Sequence, residues 1–309
     1  MIKKILCIIS ILLVCFKTNM AFSQQLDSTK TKDLFADIEQ ESKLSDQQTT
    51  NYTLATFKSV RVVNSHTTEL VGKNNLDFRI SHRFGYLNSG AYNLFGLDGA
   101  TVRFGFDYGL SKNINVGIGR SSIDKEFDAY FKYKLLKQST GKINMPISLV
   151  YVFTAMNYTL RGLEEISFNN RTSYAHQFII AKKISDNVSL QLMPTYIHIN
   201  LVPLKTDDNN LYSLGFAGRT KLSKRIALNV EYFHQFNQLS GTTNSLSLGF
   251  DIETGGHVFQ LHFTNSTGMT ERTFVANTTG DWGVGDIRFG FNIARTFVLK
   301  KSKDNRSTW

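Results

Sequence analysis

Apolar and polar residues alternate along most of this chain. Over 245–254, Leu246, Leu248, Phe250 and Ile252 point one way, and Ser247, Gly249, Asp251 and Glu253 point the other. After Gly255-Gly256 the pattern resumes, with His257, Phe259, Leu261 and Phe263 against Val258, Gln260, His262 and Thr264. Successive side chains of a strand leave opposite faces of the sheet, so a period of two means strand. Gly-Gly supplies the positive φ that both central residues of a tight primed turn need, so the two runs read as a hairpin. Ten further runs read as strands: 76–84, 102–109, 114–119, 127–134, 174–184, 188–199, 211–222, 226–236 and 287–297, together with 142–157, which is more apolar on both faces but still strand-like. Twelve strands are therefore predicted.

The connections indicate how the strands are arranged. Those after even-numbered strands are brief (111–113, 139–141, 185–187, 223–225 and 255–256). Those after odd-numbered strands are mostly long (86–99, 158–171, 200–210 and 267–285), with 121–125 and 237–243 shorter. Short turns at one end and long loops at the other characterise an outer-membrane barrel, and strands of about ten residues suit a tilted membrane crossing. A sheet can span hydrocarbon only if it closes, because every backbone polar group must pair internally. The expected fold is thus all-β: an up-and-down antiparallel transmembrane β-barrel over 75–299. It has about twelve strands, or fourteen if 53–74 adds two. In that stretch Phe57, Val60, Val62 and Val63 suggest a strand, and the segment either extends the barrel or plugs its lumen.

The ends read differently. Lys3-Lys4, an apolar run from Ile5 to Phe16 and Ala21-Phe22-Ser23 form a signal peptide over 1–23, too short in its apolar part to span a bilayer. Residues 24–52 are a polar tail, and 300–309 are polar and do not alternate. Both cysteines, Cys7 and Cys15, fall in the leader, so disulfides, thiolate metal sites and Cys nucleophiles are excluded from the rest. An even strand count puts both termini in the periplasm. The net charge of +10 falls to +7 without the leader and is spread along the chain, so nucleic acid is not an expected partner.

The polar face is the candidate site. It would carry Asp77, Arg79, Arg83, Arg103, Asp107, Asp128, Lys132, Lys134, Arg219, Glu231, Asp251, Glu253 and Arg288 into the lumen. Mixed charges without partners are costly to bury, so the interior is either salt-bridged and plugged or a wet channel. Alternating Gly117 and Gly119 suit a lumen crowded by larger neighbours. The motifs of zinc proteases, P-loops, serine hydrolases and EF-hands are absent, and no cofactor or metal is expected. His257 and His262 lie on opposite faces of one strand, which makes them poor joint ligands. His198, near Asn200, has no serine assigned to it for a barrel-embedded hydrolase. The remaining alternative is a soluble periplasmic lipid-binding barrel.

Several blocks carry a resemblance: LDFRISHRFG from Leu76, LFGLDGATVRFGFDYGL from Leu94, VGIGRSS from Val116, YAHQFIIAKK from Tyr174, GFDIETGGHVFQLHFTNS from Gly249 and TGDWGVGDIRFGFNIART from Thr279. They resemble a Bacteroidota family of outer-membrane β-barrel proteins of uncharacterised function. The resemblance implies the barrel, the signal peptide and the outer membrane of a Gram-negative cell. Outer-membrane lipid and the barrel-assembly machinery then become the expected partners. No substrate or catalytic residue comes with it. The expected role is a structural barrel or a narrow small-solute pore.

Overall fold

The computed structural model describes residues 49–160, 166–254 and 257–300. The leader at 1–23, most of the polar tail, the Gly255-Gly256 turn and 301–309 lie outside the described residues. In chain order the strands are β1 (Thr50–Tyr52), β2 (Asn75–Tyr86), β3 (Ala100–Gly109), β4 (Ile114–Ser121), β5 (Phe127–Leu136), β6 (Ser139–Gly141) and β7 (Ser148–Asn157). They continue with β8 (Thr172–Lys183), β9 (Val188–Ile199), β10 (Asn210–Lys221), β11 (Ile226–Gln235), β12 (Ser245–Thr254), β13 (His257–Thr264) and β14 (Arg288–Val298). Twelve of these form a closed barrel in which each strand pairs antiparallel with its neighbour in the chain, and β14 closes on β2. β1 and β6 form a separate two-stranded pair.

Closure turns the alternation of the sequence into an outside and an inside. Phe104, Phe106, Ile118, Phe131, Leu248, Phe250, Leu261 and Phe263 are exposed on the outer face. Aromatic rings meet across strands there: His82 stacks on Phe291 at 4.9 Å, and Phe84 on Phe289 at 5.8 Å. His176 lies on the same face, where its Nδ1 meets the Tyr151 hydroxyl at 2.7 Å.

The interior has two unlike walls. From β7 to β10 the only buried charge among the described residues is Arg219, and the apolar side chains Val150, Val152, Met156, Ile179, Met193, Ile197 and Leu211 are buried among Ser, Thr and Gln. From β11 round through β14 to β5 the inward side chains are mainly polar or charged.

Two segments fill this interior. The first is the stretch over 53–74, which adds no strand to the barrel. Residues 59–68 are buried, and the chain reverses between Arg61 and His66 in a tight hairpin. There Val62 N–H donates to the Ser65 carbonyl at 2.9 Å, and Thr67 N–H to that of Val60 at 3.0 Å. Both ends of the hairpin leave by the short-turn end of the barrel. β1 pairs with the connection between β5 and β7, and Asn74 N–H donates to Gly109 O at 2.8 Å. Gly109 has to be glycine, since a Cβ there would collide with the carbonyls of Val71 and Gly72.

The second segment comes from the loop over 267–285, which the division into short turns and long loops predicts to lie outside. Its residues 268–276 are buried, and a π-helical turn, Arg272–Ala276, packs against β8, β9 and β11. Phe274 meets Phe233 edge-on at 5.2 Å. Met269, Phe274, Val275 and Ala276 are apolar residues in a stretch with no period, and the apolar wall is where they lose contact with water.

Two boundaries also differ from expectation. β7 begins at Ser148 rather than at 142, because Pro146 has no N–H to offer a ladder. The connection before it is accordingly longer than 139–141, and folds back on itself through a bridge between Ser139 and Met145. Thr50–Tyr52, read as polar tail, is a strand.

Candidate functional site

Ten of the thirteen expected lumen charges are buried inside the barrel: Asp77, Arg79, Arg83, Arg103, Asp107, Asp128, Lys132, Arg219, Glu231 and Asp251. The other three are half-exposed. Glu253 pairs with Lys58 of the hairpin at 2.6 Å. Arg288 lies over the Tyr86 ring at 3.6 Å and donates to Phe84 O. Lys134 is partly covered towards the short-turn end of β5.

Most of the buried wall charges are held by close neighbours. Arg103 donates to both carboxylate oxygens of Asp128, one of them at 2.8 Å, in the forked geometry that suits a guanidinium to a carboxylate. Gly119 makes room for this pair and Gly117 for Tyr130 and Asp107, because a Cβ at either position would overlap those side chains. Arg79 reaches Asp77 at 3.2 Å and the Ser59 hydroxyl of the hairpin at 2.8 Å. Asp251 accepts from Gln260 at 2.8 Å.

Glu231 is the anchor of the hairpin. Its carboxylate accepts from the backbone N–H groups of Val63, Asn64 and Ser65 at 3.3, 3.2 and 2.9 Å, and from the Ser65 hydroxyl at 2.6 Å. Three successive N–H groups converging on one anion form a nest, a concavity of positive partial charge. The turn supplies the nest and the wall supplies the anion. Around it Asn64 donates to Ser247 and accepts from Arg83 at 2.8 Å, while Asn292 donates to Val63 O and Gln260 to Val62 O. On the other side Gln191 donates to His66 O at 2.7 Å, and Lys132 donates to Glu69 O.

The loop segment is held at the opposite end. Arg272 pairs with Glu126 and, at 2.6 Å, with Asp124, and Thr270 donates to Glu126. Burial holds the Glu126 carboxyl above its ordinary pKa, and Arg272 pulls it the other way. The two inserted segments meet in mid-lumen, where Glu271 faces Arg61 at 3.9 Å and His66 at 3.8 Å. Counting both segments, seven basic and seven acidic side chains are buried among the described residues. The buried formal charges of these acids and bases therefore sum to zero.

The sequence pattern missed several of these partners. Gln260 and Asn292 lie on the polar face of their strands but carry no charge, so charge alone does not single them out. Arg61, Glu126, Glu271 and Arg272 belong to segments with no period, and 146 residues separate the bonded pair Glu126 and Arg272. Among the described residues no group of three or more His, Cys, Asp or Glu is placed to hold a metal. His198 is hydrogen-bonded to Asn210 and Asn200, at 2.8 and 2.9 Å.

Residues 57–297 match the model of a protein family described as Membrane bound beta barrel domain (DUF5777). The chain belongs to that family. The match begins at Phe57, so it takes in the lumen hairpin as well as the barrel. Membership makes the apolar outer face the lipid face of a membrane barrel. No curated protein matches the chain.

Solved structures similar to it include a KdgM porin in complex with disordered oligogalacturonate, 9% identical with a TM-score of 0.45 over 72% of this chain and 99% of that one. Another is the COG4313 outer membrane channel from Pseudomonas putida F1, 14% identical with a TM-score of 0.41 over 74% and 97%. A third is the Acinetobacter baumannii outer membrane protein Omp33, 10% identical with a TM-score of 0.38 over 73% and 99%.

Proposed function

We propose that this protein is a non-enzymatic outer-membrane barrel that is closed at rest by its own hairpin and its own long loop, and that serves as a scaffold between the two sides of the membrane. The observation that carries this reading is the Glu231 nest, in which a wall carboxylate is used up on the hairpin backbone. The equal numbers of buried acids and bases support it, since a lumen built to conduct one sign of ion would carry an excess of the other. Both termini lie in the periplasm, the long loops face outward, and the source is a member of the Bacteroidota. Outer-membrane lipid and the barrel-assembly machinery are its partners, and nucleic acid is not.

Planar-bilayer recording tests the reading. Full-length protein, shown to be folded by a gel band that shifts on boiling, is expected to give no steady unit conductance. Deletion of 57–71 is expected to produce one. Steady conductance from the intact chain overturns the closed barrel.

One observation favours a second reading, a gated channel for small solutes. Both ends of the hairpin leave by the same mouth, so it can be withdrawn without threading. Cysteines placed at Asn64 and Ser247, whose side chains touch at 3.2 Å, distinguish the two. Brief openings that disappear on oxidation and return with reductant support the gate; their absence in both states supports the scaffold.

A further inference from the structure

The outer face has one place where the bulky belt is interrupted. The register puts Ile118 beside Ala129, Ala129 beside Ala155, and Ala155 beside Tyr174, so two methyl groups lie side by side in a row of large side chains. The result is a groove of about 740 Å³ that opens sideways into the bilayer. Phe104 and Phe106 of β3, Phe127 of β5 and Phe168 of the long loop line it. Ile118 is 62% exposed and Phe168 is 72% exposed, so no other part of the described chain covers them.

At its loop end stands Arg120. Its register partners are Phe104 and Phe127, so the guanidinium projects outward at the edge of the apolar belt, 5.3 Å from the Phe127 ring centre. No carboxylate among the described residues pairs with it. The polar groups nearby are already engaged: Asn157 donates to Phe168 O and Thr172, and Thr159 donates to Lys125 O. An arginine facing lipid at headgroup level calls for an anion, and its planar fork matches a phosphate.

We infer that this groove is a specific site for a phosphate-bearing, multiply acylated lipid of the outer leaflet, with the phosphate on Arg120 and an acyl chain lying over Ala129 and Ala155. Position limits the occupant to lipid, since hydrocarbon surrounds the groove on its open side. The charge limits it to an anionic head. The inference rests on outer-membrane placement and is independent of whether the lumen is closed.

The test is native mass spectrometry of the full chain in detergent, titrated with lipid A monophosphate, dephosphorylated lipid A and phosphatidylethanolamine. One lipid A monophosphate per chain is expected to persist at activation energies that strip phosphatidylethanolamine. Arg120→Gln is expected to weaken retention roughly tenfold and to bring it level with that of the dephosphorylated lipid on the parent. Ala155→Phe, or Ala129→Leu should the first fail to fold, is expected to abolish it. Boiling-sensitive gel mobility confirms that each variant is a folded barrel, so a failed barrel is distinguished from a failed lipid site. Equal retention by parent, Arg120→Gln and the filled-groove variants, or equal retention of all three lipids, overturns the site and leaves annular lipid only.

Discussion

The two walls of the lumen hold their fillings by opposite means. On the apolar wall, from β7 to β10, Met193, Ile197 and Val152 meet a loop segment that brings Phe274, Val275 and Ala276, and the gain is the removal of hydrocarbon surface from water. On the charged wall Glu231, Arg83 and Arg79 meet a hairpin that brings backbone N–H groups and short hydroxyls, and here each contact first has to offset a desolvation cost. The first kind of contact tolerates imprecision. The second requires each partner in place, which fits the density of bonds around Asn64. A filled barrel can thus divide the work, with non-directional packing on one side and registration of the hairpin on the other.

Removing the anchor should show the largest effect. Glu231→Ala leaves three buried N–H groups of the hairpin uncapped and removes a buried negative charge, at a cost of about 3–5 kcal/mol. The unfolding midpoint in urea is expected to fall, and the hairpin to become open to protease added from the short-turn side; an unchanged digestion pattern would refute the anchoring role.

In the loop segment Phe274→Ala, which loses the edge-on contact with Phe233 on β11, is expected to cost about 3 kcal/mol, at the lower end for a buried aromatic because the loop is able to settle into the space. This loss should leave the hairpin protected from protease. If both segments come loose together, the walls do not act separately.

A charge swap sharpens the contrast further. Asp128→Leu alone strands Arg103 and should destabilise strongly, whereas Arg103→Met combined with Asp128→Leu should return to within about 1 kcal/mol of the parent, as replaced buried pairs often do. A double variant no better than the single one would mean that the pair is needed for more than its own neutralisation.

The smallest effect lies outside both walls. The exposed Asp207 accepts from the Ser240 hydroxyl at 2.7 Å and from its N–H at 3.0 Å, and these bonds hold its carboxyl below its usual pKa. A carboxyl lowered in the folded state contributes above its unfolded pKa, and the contribution is lost as pH falls through the lowered folded value. Asp207→Asn is therefore expected to speed amide exchange at Ser240 at neutral pH and to leave the unfolding midpoint unchanged. In the parent the same speeding should appear only in acid.

The barrel follows from the alternation of the chain. Alternation is a local property, written into each strand by the pleat, so the twelve strands, their faces and the inward direction of Arg103, Asp128 and Glu231 were all legible before any contact was known. Parity alone is enough to place them, and a slip of one residue would turn every side chain over. Other features depend on contacts between distant parts of the chain. The hairpin around Asn64 has no period, and its place is set by a carboxylate 167 residues away on β11. The loop carrying Phe274 resembled any other long connection until the apolar wall was there to receive it. Ala129 and Ala155 are unremarkable in the chain and form a groove only because the register puts them side by side. The physical reason is the same in each case: a strand's face follows from its own residues, whereas what fills a closed surface depends on distant groups that meet only once it has closed.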